Sequence, residues 1–361
     1  MHAALGYSPG TPQVGFSRFQ LTALFCAICF ISKLFRPPDN TVTIDKSIFS
    51  RIQDYGIVWL MSKLFTCIFS ILCLCCHTAY GWYPIQPDES LIPSTDGASL
   101  IGSHRTYYTQ PGDTLIELAL QGGLGYLALS KANPEVDPWL PQAGTRILLP
   151  YAFILPTGIQ PGITVNLAEL RLYYVWHEQN SLRVRVYPVG IGRSGWDTPE
   201  GSFEVIQKIV RPAWHPPASL RLENPQLPAS VPPGPDNPLG EYWLGLSAPG
   251  YGIHGTSKPY GVGRRISHGC LRLYPWDIRD LFARVKIGTP VRILRQPVKI
   301  GIKNGKLLLE VHRSDNFSDQ NLLEETLQRI AQVAGHIQVN RDTVEREIHL
   351  GRGVPTIISG D

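Results

Sequence analysis

The chain has 361 residues, of which 17% are charged, and its formal net charge is +4. This length is sufficient to bury a substantial core and to hold two or more domains. The charges are spread along the chain without a basic block, which argues against nucleic acid as a partner. Alternating runs of Val, Ile and Tyr, together with 31 Pro and 34 Gly, favour a mainly β protein with many turns.

The amino-terminal region has the pattern of a targeting segment. Met61 opens "MSKLFTCIFSILCLCCHTAYGWYP", in which a basic start precedes a short apolar run and then small residues. This layout is typical of a secretory signal peptide over residues 61–81, cleaved after Ala79 or Gly81. We interpret residues 1–60 as a mis-called extension or a cytosolic leader. The alternative is an uncleaved anchor, although the apolar run is short for a transmembrane helix.

After a polar linker at 82–103, the block 104–150 predicts a small βααβ unit with a Gly-Asp turn. The block resembles a LysM domain, a module that binds polymers containing N-acetylglucosamine. The residues that match are Gly112, Asp113, Thr114, Leu115, Asn133, Pro134, Gly144, Ile147 and Pro150. The block departs from the LysM pattern at "QGGLG" (121–125), where a helix end is expected. A spacer module without glycan affinity is the alternative.

The block 156–296 has the strand patterns of a β domain. "TVNLAELRLYYVW" and "SLRVRVYPVGIG" flank a predicted hairpin at 177–180. Residues 211–240 contain nine prolines, and so long an irregular stretch predicts a functional loop or lid. A helix is predicted over 275–285, with one apolar face formed by Ile278, Leu281, Phe282 and Val285.

The block 297–361 predicts an appended α+β extension that packs on the main domain. Asn304-Gly305 lies between two alternating segments and predicts a tight hairpin. A helix follows over roughly residues 320–334, with Leu323, Leu327 and Ile330 on one face. Nothing in this block indicates catalysis.

Cysteine usage draws attention to one residue. Of the seven cysteines, six lie in or before the targeting region, so the predicted exported chain keeps only Cys270. Exported proteins meet an oxidising compartment and usually either pair their thiols or lack them. A lone thiol there indicates a reactive group, and a buried structural cysteine is the alternative.

Cys270 lies in "RRISHGCLRLYP". A free thiol is largely protonated at neutral pH and needs a base to become a nucleophile. If this stretch is extended, His268, Cys270 and Arg272 share one face. Gly269 permits a sharp turn, however, so that geometry is uncertain from the sequence.

His254 is the second candidate base. It ends the strand-like "YGIHG", which we expect to pair with its neighbour across the loop 256–266. An adjacent antiparallel strand would bring its ring opposite Cys270. The residues alone leave the choice between His254 and His268 open.

Two other chemistries remain possible from the residues. His254, His268 and Cys270 together offer three zinc ligands, but none of the three belongs to a Cys-x-x-Cys or His-x-x-x-His spacing that would support a metal site. A serine triad is less favoured, because the chain contains no Gly-x-Ser-x-Gly elbow.

The stretch "IHGTSKPYGVGRRISHGCLRL" resembles the signature of the L,D-transpeptidase catalytic domain, the YkuD family. The resemblance extends back through "GIGRSGWDTPEGSF" and "PPGPDNPLG" to "TVNLAELRLYY". With the signal peptide and the LysM-like block, the chain resembles the periplasmic subgroup of Gram-negative bacteria. The resemblance implies a mainly β fold: a β-sandwich-like L,D-transpeptidase catalytic domain with a small βααβ LysM-like domain and a carboxy-terminal hairpin-plus-helix extension.

The resemblance also implies roles for individual residues. Cys270 matches the nucleophile and His254 the general base, with the Gly255 carbonyl orienting that histidine. The backbone at His268, Gly269 and Cys270 matches the oxyanion hole. The positions assigned to substrate binding and support are Arg272, Ser267 and Tyr251.

The implied reaction is acyl transfer on peptidoglycan stem tetrapeptides through a cysteine thioester, with release of D-alanine and without a metal or cofactor. The acceptor is a second stem peptide, giving a 3→3 cross-link, or a lysine of an outer-membrane protein. The implied partners are thus stem peptides, glycan and such a protein, with membrane contact only through the signal segment. Two alternatives are an L,D-carboxypeptidase or amidase, in which water is the acceptor, and a non-catalytic peptidoglycan-binding protein.

Overall fold

The computed structural model describes residues 91–92, 100–313, 318–334 and 338–359. All of them belong to one unit of the chain, Ala79–Asp361. The predicted signal peptide at 61–81, the extension before it and the six other cysteines lie outside the described residues. Among the helices in the described ranges, none has the length and apolar content to span a bilayer.

Residues 105–149, which we call the N-terminal module, form a strand, two helices and a strand. The described part of the chain up to Ile154 contains the module and three short strands outside it. Its elements are β1 (Leu91–Ile92), β2 (Leu100–Ile101), β3 (Arg105–Tyr108), α1 (Leu115–Gln121), α2 (Tyr126–Ala132), β4 (Arg146–Leu149) and β5 (Phe153–Ile154). β3 pairs antiparallel with β4, and β2 with β5. Thr114 begins α1, because its hydroxyl accepts a hydrogen bond from the Glu117 amide at 3.2 Å.

The central region contributes the strands of the main sheet. They are β6 (Gly162–Asn166), β7 (Arg171–Glu178), β8 (Ser181–Pro188), β9 (Ile191–Gly192), β10 (Gly201–Val210), β11 (Tyr242–Leu246), β12 (Gly252–His254), β13 (Arg265–Ser267), β14 (Leu271–Arg272) and β15 (Pro290–Leu294). Within the described residues, the sheet order is β1-β8-β7-β6-β15-β10-β11-β12-β14. β9 and β13 form a separate parallel pair.

The long strand β10 joins the two halves of this sheet. Its first four residues pair with β15, and the rest pair with β11 after a register shift between Val205 and Gln207. A shift of this kind bends a strand and increases its twist. The nine strands therefore form one curled sheet, in which the bent β10 connects the two halves.

One helix, α4 (Pro275–Arg284), packs its apolar face on the concave core of the sheet. Ile278, Leu281 and Val285 are buried and Phe282 packs beside them, which confirms the predicted face. The amine of Lys208 donates to the carbonyl oxygens of Phe282 and Val285, at 2.7 and 2.5 Å. This cation complements the negative end of the helix.

Residues 211–240, the proline-rich loop, include a short helix, α3 (Ala218–Glu223), and a bridge between Trp214 and Val231. Asn237 is fully buried and organises the loop. Its amide nitrogen donates to the carbonyl oxygens of Pro212 at 2.8 Å and Val231 at 3.3 Å. One side chain therefore connects the beginning of the loop to its end, and the loop is an ordered segment.

The carboxy-terminal region forms a three-stranded sheet with two helices. They are β16 (Val298–Lys303), β17 (Lys306–Val311), α5 (Asp319–Ala334), α6 (Arg341–Leu350) and β18 (Thr356–Ile357). Asn304 and Gly305 connect β16 and β17 with φ of +52° and +73°, as a two-residue turn requires.

The predicted apolar face of α5 is wrong in part. Leu327 is 40% exposed, and the buried stripe runs through Leu322, Thr326 and Ile330, with Leu323 half-buried. The polar residue Thr326 tolerates burial because its hydroxyl donates to the Leu322 carbonyl at 2.6 Å. A reading based on apolar residues alone passes over such a position.

Candidate active site

His254 and Cys270 lie at one edge of the curled sheet. His254 ends β12, and Cys270 directly precedes β14, which pairs in parallel with β12 so that His254 is opposite Arg272. The prediction that the strand after the loop 256–266 pairs antiparallel with β12 is wrong. That strand, β13, pairs with β9, and the chain turns at Gly269 before β14 pairs in parallel with β12. Opposite residues in paired strands share a face, which places His254 and Arg272 on one side. Cys270 lies two residues before Arg272, close enough for the Arg272 charge to act on its thiol.

The turn before Cys270 needs glycine at position 269. Gly269 has φ of +102°, and a Cβ there would lie 2.6 Å from Cε1 of Tyr251. Ser267 is buried and closes the turn with one hydroxyl, which donates to the Cys270 carbonyl at 2.6 Å and accepts from the Gly269 amide at 3.2 Å. Ser267 therefore braces the turn, and Tyr251 covers it.

Thr198 supports the same turn from outside. Its hydroxyl donates to the Gly269 carbonyl at 2.8 Å and accepts from the Gly192 amide at 3.1 Å. Sequence reasoning missed this residue. The available signal was its place in "GIGRSGWDTPEGSF", a stretch that carried the family resemblance without giving Thr198 a role.

His254 is 3% exposed, and its Nδ1 lies 2.6 Å from the Gly255 carbonyl oxygen. Burial lowers the pKa of His254 to about 3; the charge of Arg272 adds to this, and the carbonyls of Gly255 and Leu239 oppose it. The ring is neutral at neutral pH, and since a carbonyl only accepts, Nδ1 carries the proton. Nε2 then holds a lone pair, as a general base requires.

Cys270 is half-buried, and its Sγ lies 3.7 Å from the Gly250 carbonyl oxygen. Burial raises the pKa of the thiol, against the opposing effects of the Gly252 amide and the Arg272 charge. Within the described part of the chain, the buried Nε of Arg272 has no hydrogen-bond partner. The site thus combines a thiol that is protonated at neutral pH with a guanidinium whose buried Nε has no hydrogen-bond partner among the described residues.

His268 faces the proline-rich loop. Its Nε2 lies 3.1 Å from Nη2 of Arg193 and 3.5 Å from Oε2 of Glu223, and its ring packs edge-on against Trp196. Arg193 also forms an ion pair with Glu223 at 2.8 Å. Burial lowers the pKa of His268, and Arg193 adds to this effect.

The environment of His268 bears on two predictions. The zinc set that includes His268 is disfavoured, because its ring nitrogen is directed at a guanidinium. Sequence reasoning also missed Arg193, Trp196 and Glu223. Arg193 and Trp196 belong to "GIGRSGWDTPEGSF", which carried the family resemblance, whereas Glu223 gave no signal beyond its place in the proline-rich loop.

A second ionisable group, the junction cluster, comprises Glu169, Arg171, Lys299, Glu310 and His312, all buried. Two carboxylates and the imidazole offer metal-ligand atoms within 4.8 Å of one another. Lys299 already lies 2.6 Å from Glu169 and 3.0 Å from Glu310, and Arg171 contacts the same two carboxylates at 2.8 and 2.9 Å. Two cations balance two anions, so this donor set does not suit a metal ion.

The chain is similar to known proteins in sequence. Residues 160–293 match the model of the L,D-transpeptidase catalytic domain, YkuD. The Escherichia coli K12 protein named Probable L,D-transpeptidase YcfS is 38% identical over 273 residues, which are 72% of this chain and 85% of that protein. Probable L,D-transpeptidase YbiS of the same strain is 35% identical over 309 residues, or 82% of this chain and 97% of that protein.

Solved structures are more distant. An Enterococcus faecium L,D-transpeptidase crystal structure matches with a TM-score of 0.28 and 23% identity, over 43% of this chain and 55% of that chain. This likeness is too weak to carry an argument. The sequence likeness, in contrast, covers nearly the whole of the second relative and extends well beyond residues 160–293.

Proposed function

This chain belongs to the YkuD family of L,D-transpeptidases, and on that premise we propose that it transfers acyl groups between peptidoglycan stem peptides through a Cys270 thioester. The observation that carries the proposal is the arrangement of Cys270 on the same sheet edge as a buried, neutral His254. A thiol whose pKa is raised by burial requires a base of this kind.

Acylation proceeds in two proton steps. His254 Nε2 takes the thiol proton as Cys270 Sγ attacks the carbonyl of the third stem residue. The tetrahedral intermediate collapses, the carbon–nitrogen bond to D-alanine breaks, and the imidazolium returns the proton to the leaving amine. The Gly255 carbonyl, which accepts from Nδ1, holds the ring in the productive tautomer and steadies the imidazolium.

The negative charge on the intermediate is stabilised by backbone amides of the turn. The Gly269 amide already donates to Ser267, so the amides of His268 and Cys270 are the candidate oxyanion donors. Such donors are preorganised, because the turn is fixed by hydroxyl groups on both sides.

Arg272 is the proposed anchor for a substrate carboxylate. Its guanidinium lies beside the thiol and has a buried Nε without a partner among the described residues. A bidentate pair with a carboxylate would satisfy that donor. Tyr251 borders the substrate position through its ring on Gly269, and Ser267 contributes by holding the turn.

The proline-rich loop is proposed to favour an amine acceptor over water. Glu223 connects this loop to Arg193 and His268, next to the thioester position. A cap held there limits the entry of water to the thioester. Trimming the loop is expected to raise hydrolysis relative to transfer, and unchanged partitioning would contradict this role.

The remaining predictions complete the proposal. The segment 61–81 exports the chain to the periplasm, the LysM-like block 104–150 binds glycan, 156–296 is the catalytic domain and 297–361 is an extension. The acceptor is a second stem peptide or an outer-membrane protein. No metal or other cofactor takes part in the proposed steps.

Mass spectrometry of muropeptides from cells with the wild type or Cys270→Ala tests the proposal. Loss of 3→3 cross-links in the variant identifies a stem-peptide acceptor, and loss of protein-linked muropeptides identifies a protein acceptor. Loss of free tripeptides alone would indicate a carboxypeptidase. No difference, together with no acylation of Cys270 by a carbapenem, would leave a non-catalytic wall-binding protein and overturn the proposal.

A further inference from the structure

The segment "QGGLG", where the N-terminal module departs from the LysM pattern, forms the turn between α1 and α2. This turn touches the catalytic domain backbone to backbone. A Cβ on Gly125 would lie 3.0 Å from the Cα of Gly263, and a Cβ on Gly263 would overlap the Cα of Gly125. The two glycines therefore meet where Gly263 has no room for a Cβ and where any side chain on Gly125 presses on the Gly263 backbone.

Three further contacts surround this point. The Leu127 amide donates to the Gly263 carbonyl at 3.3 Å, and the Arg264 guanidinium lies over the Tyr126 ring at 4.9 Å. The hydroxyl of Tyr274, just before α4, donates to the buried Leu124 carbonyl at 2.9 Å. The turn and the first residues of α2 thus contact two separate parts of the catalytic domain.

Gly263 leads directly into the catalytic turn. The Arg264 carbonyl accepts from the Ile191 amide at 3.0 Å, and β13 follows, paired with β9. At the end of β13, the Ser267 carbonyl accepts from the Arg193 amide at 3.0 Å. The Ser267 hydroxyl then fixes the turn that carries Cys270. Ser267 is the last residue of the short strand β13, so only Arg264 and the first two residues of β13 lie between Gly263 and Ser267.

We propose that the turn 122–125 is a positioning element for the nucleophile, and that Gly125 is its central positioning residue. This inference rests on the proposed function of Cys270. A displacement of Gly263 moves β13 along β9 and with it the Ser267 hydroxyl. Reactivity that depends on near-attack geometry is sensitive to such a shift. The departure from the LysM pattern is explained by docking rather than by glycan binding.

The test uses the full chain with Gly125→Val and a matched control, Gly112→Ala. Gly125 has an ordinary φ of −74°, so the added side chain acts through its contacts, of which the Gly263 backbone is the nearest and Pro188 Cβ, at 3.5 Å, the next. Gly112 has φ of +91° and open space around it, so Ala strains the same module without touching the catalytic domain. Gly125→Ala adds a smaller side chain at the same contact and is expected to give a smaller effect than Gly125→Val.

The readouts are kcat and KM for D-alanine release from a tetrapeptide, and the rate of Cys270 acylation by meropenem. Gly125→Val is expected to lower kcat and the acylation rate by about tenfold or more, with little change in KM. Gly112→Ala is expected to lower only the melting temperature. Retained rates in Gly125→Val, or equal losses in both variants, would overturn the inference.

A wild type that neither releases D-alanine nor reacts with meropenem would contradict the proposed function instead. The inference is then judged by the pH profile of Cys270 alkylation with iodoacetamide, which needs no enzymatic activity. Gly125→Val is expected to shift this profile, because the thiol moves relative to Arg272 and the Gly252 amide. An unshifted profile would show that the docked turn does not position Cys270.

Discussion

In the junction cluster both carboxylates contact Lys299 and Arg171, whereas Arg272 beside Cys270 has no carboxylate partner among the described residues. In the cluster, burial by itself would raise the pKa of Glu310, but the charge of Lys299 and further partners lower it overall. In the site, burial prevails: it raises the pKa of Cys270 and lowers that of His254 to about 3.

The difference separates a structural from a reactive use of buried charge. Ions that satisfy one another fix how chain segments meet, and here Glu310 also accepts from the Ile154 amide at 2.5 Å. The cluster thereby joins the end of the N-terminal region, the catalytic sheet and the carboxy-terminal hairpin. In the proposed function, Arg272, which has no carboxylate partner among the described residues, keeps its charge for a substrate or a transition state.

The largest effect is expected in the reactive group. His254→Ala should lower thioester formation by a factor of about 100 to 10,000, because the thiol loses its base. His268→Ala should weaken the reaction much less, since its ring contacts Arg193 and Glu223. Intact-mass measurement of meropenem acylation checks both variants. A reversed order of severity would contradict the assignment of the base.

Breaking the junction cluster should instead affect stability. Glu310→Gln is expected to lower the free energy of unfolding by roughly 3–5 kcal/mol, because it leaves Lys299 and Arg171 undercompensated in the interior. The acylation rate of the remaining folded protein should not change. Urea unfolding measures the effect, with Glu178→Gln as the control. Glu178 pairs with Arg183 at the surface, and its loss should cost about 0–1 kcal/mol.

Acid should destabilise the protein through the same cluster. The pKa values of Glu169 and Glu310 lie below their ordinary values in the folded chain, because Lys299 and their other partners outweigh burial. The stabilisation that the two ionised carboxylates contribute is complete above the unfolded carboxyl pKa of about 4.3. It is lost as the pH falls toward their lower pKa values in the folded chain. Burial also lowers the pKa of His312, so stability begins to fall below about pH 6.5.

Urea unfolding at several pH values between about 2 and 7, a range that spans both the carboxylate and the histidine part, checks this expectation. Glu310→Gln should flatten the carboxylate part of the pH dependence. A wild-type stability that is constant over this range would contradict the pKa directions in the cluster.

The pH dependence of the site should differ. Iodoacetamide alkylation of Cys270 should rise with pH through a midpoint above that of an ordinary thiol, because burial disfavours the thiolate. Arg272→Ala should move the midpoint further up, since its charge favours the thiolate. A midpoint below pH 8 in the wild type would contradict the description of the site as one dominated by burial.

The smallest effect is expected at the rim. Glu223→Gln removes the charge that connects the proline-rich loop to Arg193 and His268. An exposed pair of this kind contributes about 0.2–1 kcal/mol, so the ratio of hydrolysis to transfer should rise at most a few-fold. Product analysis by mass spectrometry with a defined acceptor amine measures this ratio. An unchanged ratio would contradict the proposal that Glu223 holds the proline-rich loop next to the thioester.

Several features could be predicted from the sequence because they depend on short-range patterns. The turn at Asn304-Gly305 and the apolar face of α4 follow from two-residue turn chemistry and from helical periodicity. The family followed from the motif around Cys270, whose residues lie close together in the chain. In α5 the same approach failed at Thr326, because burial of a hydroxyl depends on a hydrogen bond that periodicity does not reveal.

The sequence by itself determined the candidates for the proposed chemistry: one cysteine in the predicted exported chain, two histidines and an adjacent arginine. Only the tertiary structure decided how they meet. Parallel pairing of β12 with β14, the support from Thr198 and the docking of Gly125 on Gly263 all join segments distant in the chain. Such contacts depend on how the sheet curls and on which backbones can approach closely, and a local residue pattern encodes neither.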